Sequence, residues 1–353
     1  MVEIWYGILA FTLTIYVVLD GRNFGAGILH LFVARTPAER RQVFSAVGPV
    51  YSWHEVWLVG FGGVLFLSFP KIYASAFSGY YLALFLILWC LILRGIALEV
   101  RGAFDDRMWQ DFWDVVFAFA NVLLAILFGA ALGNLARGLP IDANGDFPMA
   151  FFTDFGVRGY VGLLDWYTLS VSLVVLIMVA AYGANYLTLK TDGPVHDRSE
   201  AIARRLWAII PLLFLILSIE TWYVRPSLLP EVASKPVAWL GVLLVLGGTA
   251  ALYTGLYRRL ERRTFWGSSL LIAGLLVAGA AAIFPVILYS TLAPENSLTA
   301  YNTATSLKSL RLALIWWPFA ILFSIGYFIF TARHYAGKVS LSAAGPVPPL
   351  EAK

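Results

Sequence analysis

Charge is scarce in this chain. Of its 353 residues, 13% are Asp, Glu, Lys or Arg, about half of the roughly 25% carried by a soluble domain, and this excludes an ordinary water-soluble globule. Cysteine is nearly missing. Cys90 stands alone in the middle of an apolar run, which excludes a disulfide framework and any Cys-based zinc or iron–sulfur site. Histidine is sparse too. Of the four, His196 and His334 fall outside the apolar runs, His30 and His54 lie near the ends of such runs, and Met178 is the one mid-run methionine. A buried haem needs axial His, Met or Cys at matched depth on facing helices, and a metal cluster needs His or carboxylates at helical spacing. Neither pattern occurs, so the residues predict no haem, metal or other cofactor bound in this chain.

What the chain has instead is apolar length: 60% of it is hydrophobic. Runs of about 18 or more apolar residues mark transmembrane helices, and they occur at 4–33, 52–72, 77–98, 112–135, 161–188, 204–223, 237–257, 265–290 and 310–332. The expected fold is therefore an all-α integral membrane protein of about nine transmembrane helices. The first run is too long for one crossing. Its helix is expected to leave the hydrocarbon near Asp20 and to run on through Gly21, Arg22 and Asn23 in polar or protein-lined surroundings.

The net charge of +4 comes from Lys and Arg in short loops, where membrane orientation accounts for it better than nucleic acid does. One set of loops holds about sixteen of these residues, among them Arg40, Arg101, Arg198, Arg258 and Arg263, and the opposite set about seven, among them Lys71, Arg137 and Arg225. The positive-inside rule puts the first set in the cytoplasm, with the N-terminus outside and the C-terminus inside. The longest loop, with turn formers Pro140, Asn144, Gly145 and Asp146, then lies outside. It separates a first four-helix unit (1–136) from a second helical unit (161–335), with 137–160 as the extracytoplasmic loop. Residues 336–353, with Pro346, Pro348 and Pro349, read as a disordered cytoplasmic tail.

Charged side chains in hydrocarbon cost about 2.5–3.5 kcal/mol each on insertion scales, and here they gather at one face. Asp20 ends the first crossing, His54 and Glu55 begin the second, Arg94, Glu99 and Arg101 end the third, and Asp111 and Asp114 open the fourth. Acids and histidine at that depth can pass protons, while arginines compensate the acids. Helix ends also carry charge simply because headgroups begin there, and Arg94 can snorkel. Both readings are open for any single residue; the group as a whole favours a proton inlet. Asp165 and Glu220 read as structural anchors, and Gly129 and Gly133 as a GxxxG pair of little weight. Trp109, Trp113, Trp316 and Trp317 suit interfacial belts, while Trp53, Trp57 and Trp89 suit core or belt positions taken singly and packing on a partner as a second reading.

Ordered motifs then run along nearly the whole chain. They are Asp20-Gly21 with Gly25 and Gly27, Gly48-Pro49, Glu55-Val56-Trp57-Leu58, Phe69-Pro70 with Tyr73-Ala74, and Arg94-Gly95-x-Ala97-x-Glu99-x-Arg101-Gly102. Gly133-Asn134-Leu135-x-Arg137-Gly138, Gly183-Ala184-Asn185-Tyr186-Leu187 with Lys190-Thr191, and Ser297-Leu298-Thr299 with Tyr301-Asn302 follow. In this order the chain resembles subunit II of the bd-type terminal quinol oxidases, including the cyanide-insensitive variants.

The resemblance implies two four-helix bundles plus a peripheral helix, paired pseudosymmetrically with subunit I in a bacterial or archaeal cytoplasmic membrane. It implies that haems b558, b595 and d, and the site of quinol oxidation, belong to subunit I. Subunit II would support assembly and proton delivery, with lipid and small single-helix subunits as further partners. The sequence departs from the family pattern where a second acid is common, at Asn23, and where Trp-Asp-Gly-Asn is common, at Tyr51-Ser52-Trp53-His54. Ser52 thus replaces the Asp implicated in proton transfer in some members. The expected proton path is Asp20, Asn23, Ser52, His54 and Glu55, with Arg94, Glu99 and Arg101 as a supporting charge network. The alternatives are a secondary transporter, which calls for polar residues at the midplane, and a purely structural scaffold subunit.

Overall fold

The computed structural model describes residues 1–159 and 161–341. Twelve helices follow one another: α1 (Val2–Val33), α2 (Pro37–Val47), α3 (Tyr51–Ser68), α4 (Pro70–Gly79), α5 (Tyr81–Val100), α6 (Arg107–Arg137), α7 (Trp166–Lys190), α8 (Gly193–Val224), α9 (Leu228–Ser234), α10 (Pro236–Arg258), α11 (Glu261–Ile283) and α12 (Leu307–His334). A short antiparallel ribbon, β1 (Val286–Leu288) with β2 (Leu298–Thr299), precedes α12. Among the described residues eight helices are long and apolar enough to cross a membrane, and nine spans result if the α2–α3 pair, bent by 42°, counts as one. The chain is thus a multi-pass helical membrane protein. The span that needs its neighbour is the one expected at 52–72, because its first turn carries Ser52, His54 and Glu55. It also stops at Ser68, since Pro70 opens α4 and the residue before a proline disfavours the helical region.

Other boundaries move for local reasons. The helix expected from 161 starts at Trp166, because Asp165 caps it and accepts the Thr168 N–H at 2.9 Å. The run expected to 290 ends at Ile283, ahead of Pro285 and the ribbon. The loop after the first span contains a helix, α2, with Pro37 at its start and a reciprocal cap between Thr36 and Glu39. As expected, α1 outlasts the bilayer: 32 residues at 1.5 Å each give about 48 Å against a hydrocarbon core of about 30 Å. It stays unbroken past Asp20, and residues from Asp20 to His30 are covered by neighbouring helices rather than by water.

Backbone approach decides the central crossings. A Cβ on Gly25 would lie 2.0 Å from the Val179 carbonyl oxygen, and one on Gly183 would lie 2.1 Å from the Gly25 carbonyl carbon, so α1 and α7 cross in direct backbone contact. Gly129 and Gly133 press on the Cα atoms of Ser172 and Thr168, so the GxxxG pair does set the α6–α7 contact. The α10–α11 hairpin closes over Gly241, Gly248 and Gly255 from one side and Gly267 and Gly274 from the other, the small-residue mode of membrane packing. α12 packs on α3 and is otherwise largely exposed.

At the end that holds the long loop, Trp5, Phe69, Leu139, Phe147, Ile287 and Leu310 form one buried cluster. The loop turns as its residues predict: Asp142 Oδ1 accepts the N–H groups of Asn144 and Asp146 at 2.9 Å, and Gly145 adopts φ +93°. Arg137 donates to Asp165 and, at 2.7 Å, to Asn134 Oδ1, which gives the Asn134/Arg137 motif a structural use. At the other end, the segment expected to be disordered from 336 is instead docked over its first residues. Val339 N–H donates to the Lys190 carbonyl at 2.7 Å, Gln42 Nε2 donates to the Val339 carbonyl at 2.7 Å, and Lys338 pairs with Glu261 at 2.8 Å. The remainder, 342–353, lies outside the described residues.

The same end carries a strong ion pair outside the spans. Arg198 forks onto both Glu39 oxygens, at 2.9 and 3.0 Å, and this guanidinium, aided by the backbone N–H groups of Arg35 and Thr36, holds the Glu39 carboxyl down at about 2. A carboxylate depressed in the folded state contributes stability that is full above its unfolded value, about 4.3, and is lost as pH falls through the folded one. Glu39→Gln is therefore expected to lower the melting temperature of the solubilised protein at pH 6, and the gap from wild type should close between about pH 4.3 and about pH 2. Melting curves at stepped pH check this, and a gap constant with pH contradicts it.

Candidate functional site

Asp20 and Asn23, three residues apart on α1, share a helix face. The first turn of α3 brings His54 and Glu55 to it, and α5 adds Arg94. Arg94 is 1% exposed and forks onto Asp20, 0% exposed, at 3.2 and 3.0 Å. It also pairs with Glu55, which is 29% exposed, and lies over the Phe24 ring at 4.5 Å. Asn23 Nδ2 donates to Asp20 Oδ1 at 3.0 Å and stands 2.6 Å from His54 Nδ1. On the far side of that ring, Arg22 Nη2 stands 3.0 Å from Nε2 and its guanidinium covers the Tyr186 ring at 4.9 Å. Two guanidinium groups thus balance two carboxylates inside the helix packing. Tyr16, one turn before Asp20, places a buried hydroxyl there with no hydrogen-bond partner among the described residues.

A neutral imidazole donates from one nitrogen and accepts on the other, yet here both His54 nitrogens face N–H groups. Turning the Asn23 amide by 180° gives the His54 Nδ1–H an acceptor but turns an oxygen toward Asp20. As placed, Asn23 Nδ2 is shared between Asp20 Oδ1 and the imidazole.

Of the residues expected on the path, Asp20, Asn23, His54 and Glu55 come together and Ser52 does not. Two residues of helix rotate a side chain by about 200°, so Ser52 leaves the face that His54 occupies and is exposed. The expected network of Arg94, Glu99 and Arg101 is also divided. Arg94 belongs to the Asp20 cluster, and Glu99 accepts from the Tyr51 hydroxyl at 3.0 Å. Arg101 joins a second buried cluster instead: it forks onto Asp114, at 2.5 and 3.0 Å, and Asp114 also takes Arg40 at 2.9 Å and His30 Nε2 at 2.8 Å. Asp114 and His30 are 84 residues apart, so no local spacing announces the pair; the one signal was an acid inside the start of an apolar helix.

An axial haem ligand needs a ring nitrogen facing open space. His54 stands between Asn23 and Arg22, His30 is buried with Nε2 on Asp114, His196 lies between Asp197 and Glu261 at 2.9 Å, and His334 is exposed and stacks on Phe330. Among the described residues no three His, Cys, Asp or Glu side chains are grouped to hold a metal ion. No step through a haem is assigned to this chain.

Residues 1–335 match the family model of cytochrome bd terminal oxidase subunit II. The chain is 28% identical to the cytochrome bd-I ubiquinol oxidase subunit 2 of Escherichia coli, over 94% of this chain and 92% of that one. It is 27% identical to the cytochrome bd ubiquinol oxidase subunit 2 of Bacillus subtilis, over 94% and 96%. Its fold matches a chain in the bd oxidase structure from Geobacillus thermodenitrificans with a TM-score of 0.73 at 18% identity, covering 94% of this chain and 98% of the other. With nearly its whole length matched by the family model, this chain belongs to the cytochrome bd terminal oxidase subunit II family.

Proposed function

We propose that the chain is the non-haem-ligating subunit of a bd-type quinol:oxygen oxidoreductase in a bacterial or archaeal cytoplasmic membrane. It stabilises a haem-bearing partner subunit and takes protons from the cytoplasm for the reduction of oxygen to water. Nine crossings, with the bent α2–α3 pair supplying one through its apolar half α3 and α2 left outside the hydrocarbon, put the N-terminus outside and the Arg-rich ends inside. α1, α3, α5 and α6 then make one four-helix set, α7, α8, α10 and α11 a second, and α12 is peripheral. Haems b558, b595 and d belong to the partner on this reading.

The observation that carries the proton role is the joined set Glu55–Arg94–Asp20–Asn23–His54, half-exposed at Glu55 and closed at Asp20. Asp20 is gripped at both oxygens by Arg94. Glu55 shares a single Arg94 nitrogen and is the acid free to load from water. The Asn23 amide bridges Asp20 to His54. Glu55→Gln keeps the shape and removes the proton site, so quinol-driven oxygen uptake per haem should fall about tenfold or more, with haem absorbance of the purified complex unchanged. Normal turnover would instead favour the scaffold reading, in which these charges serve packing alone.

A further inference from the structure

A second polar site lies apart from the Asp20 cluster. α7, α8, α10 and α11 line a cavity of about 220 Å³ at the end that carries the expected cytoplasmic loops. α8 and α10 face each other across it without close packing, and the Tyr253 hydroxyl donates over the gap to the Trp207 carbonyl at 2.6 Å. The apolar run of α8 begins at Leu206, just past Arg204 and Arg205, and that of α10 ends at Tyr257, just before Arg258. The cavity therefore sits where hydrocarbon gives way to headgroups. Exposed apolar side chains, Leu212 on α8 and Leu246 on α10 among them, continue from there into the membrane.

The walls are short of hydrogen-bond donors. Asn185, 2% exposed, lines the cavity from α7. Ser268 directs its one hydrogen to the Thr264 or Phe265 carbonyl, at 3.1 and 2.8 Å, so its oxygen can only accept from Asn185 Nδ2, at 3.1 Å. That fixes the amide, and Asn185 Oδ1 is left buried without a donor among the described residues, where a buried polar atom normally has one. Glu200 takes Arg204 on Oε1, and Glu261 takes His196 and Lys338 on Oε1, so each keeps its second oxygen unused among the described residues. Among those residues no three acids or histidines gather on a point that would hold a metal ion. Acceptors spread around a cavity in this way suit an organic cation with several N–H groups.

The rim supplies the opposite charge. Arg259, which also lines the cavity, stands at φ +54°, the left-handed conformation that helix ends usually give to glycine. Glycine would sit there without strain, so the guanidinium is what the position gains from arginine. Arg258, Arg262 and Arg263 are exposed on the same α10–α11 turn. Tyr257 and Trp266 flank them, both exposed, and such aromatic residues favour the headgroup layer. Acceptors inside and guanidinium groups at the rim complement a zwitterion that enters with its cation first, rather than a purely anionic headgroup.

We infer that the cavity binds one phospholipid with a primary-ammonium headgroup, a phosphatidylethanolamine. Its ammonium donates to Asn185 Oδ1 beside the carboxylates of Glu200 and Glu261, and its phosphate meets Arg259. The headgroup takes the room of several waters at about 30 Å³ each, and the acyl chains lie along the exposed apolar flanks of α8 and α10. The lipid fills the cleft between two helices that share little contact of their own, and so ties α8 to the α10–α11 hairpin. The site does not depend on the proton-uptake reading of the chain.

The test uses the assembled complex, stripped of lipid in detergent and then given one lipid at a time. Native mass spectrometry counts the lipid retained, and thermal melts record stability. Phosphatidylethanolamine should be retained several-fold better than phosphatidylcholine, whose methyl groups replace the ammonium hydrogens and leave the phosphate as it was. It should also raise the melting temperature more. Asn185→Leu should erase that preference. Arg259→Gly should weaken retention of both lipids, yet raise the melting temperature of the stripped protein, because glycine relieves the left-handed turn. Equal retention of the two lipids by the wild type means that water fills the cavity, and overturns the inference. A preference for phosphatidylglycerol overturns it too, since the arginines are then an ordinary basic surface. If soluble ethanolamine gives the same melting shift, the occupant is a free amine and the lipid assignment falls. Retention unchanged in both variants places the lipid elsewhere and removes the site. Should Asn185→Leu yield no complex, Arg259→Gly and the wild-type comparison decide.

Discussion

Arg94→Gln is expected to deplete the protein from membranes and to lower the melting temperature of whatever complex remains. The guanidinium satisfies Asp20 at both oxygens and Glu55 at one, and neither it nor Asp20 reaches solvent. Removing one partner of such a pair leaves a buried charge uncompensated, at about 3–5 kcal/mol, a large part of the roughly 5–15 kcal/mol that holds a typical fold together. Arg94→Lys should recover little, because one ammonium cannot reproduce the fork. Removing the opposing charge should recover more: Arg94→Gln with Asp20→Asn is expected to restore assembly in part, since the two sites share a partner and their effects do not add. Immunoblots of membranes and thermal melts of the solubilised complex read this out. A single variant as abundant and as stable as wild type would mean that water reaches Asp20, and the description of the cluster as closed would be wrong.

Asp20, Asn23, His54 and Glu55 were legible as a group because each breaks an apolar run near the same membrane face, and the hydrocarbon makes such interruptions costly wherever they are not met by protein. Depth along each run is a one-dimensional quantity, and the sequence carries it well. Facing around the helix axis is not carried in the same way. Ser52 lies at the right depth and on the wrong side of α3, while Arg101 lies near Arg94 in the chain yet turns to Asp114. Apolar surroundings on every side of these helices, lipid on one and protein on the other, erase the amphipathic stripe that would reveal the facing in a soluble helix.

The same erasure hid most of the packing. α10 shows no polar face, and the five glycines that let it touch α11 are recognisable only once the two helices are paired. Nor could apolar runs report α2, whose signature is the Thr36-Pro37-x-Glu39 cap, or the docking of 336–341, which depends on Lys190 and Gln42 far away in sequence. The long loop fared better because its turn is built from Asp142, Asn144 and Gly145 within five residues.

The α1–α7 crossing sets the second large expectation. Gly25→Ala would place a methyl 2.0 Å from the Val179 carbonyl oxygen and 2.6 Å from the Gly183 nitrogen. These are backbone atoms of a regular helix, so no rotamer change can clear them and the helices must separate. Overpacking that side chains can absorb costs about 1–3 kcal/mol; a backbone clash should exceed it.

The displacement also reaches the candidate site. Asp20 and Asn23 lie within five residues of Gly25 on the same helix, and Tyr182, beside Gly183, holds the Val18 carbonyl at 2.9 Å. Gly25→Ala is therefore expected to abolish assembly of the complex, and Gly183→Ala to do the same. Gly27→Ala should fall between, because the atoms in its way belong to the Asn121 side chain, which can move at the cost of its bond to the Phe117 carbonyl. Gly7→Ala and Gly279→Ala, with nothing within 4 Å of the new methyl, should be neutral or stabilise by up to about 1 kcal/mol through helix propensity alone. Haem-normalised yields of the five variants, and melting temperatures of those that assemble, should therefore rank by the nature of the obstructing atom. If Gly25→Ala melts with Gly7→Ala, α1 and α7 do not cross in backbone contact, and the placement of Asp20 beside Arg94 loses its structural basis.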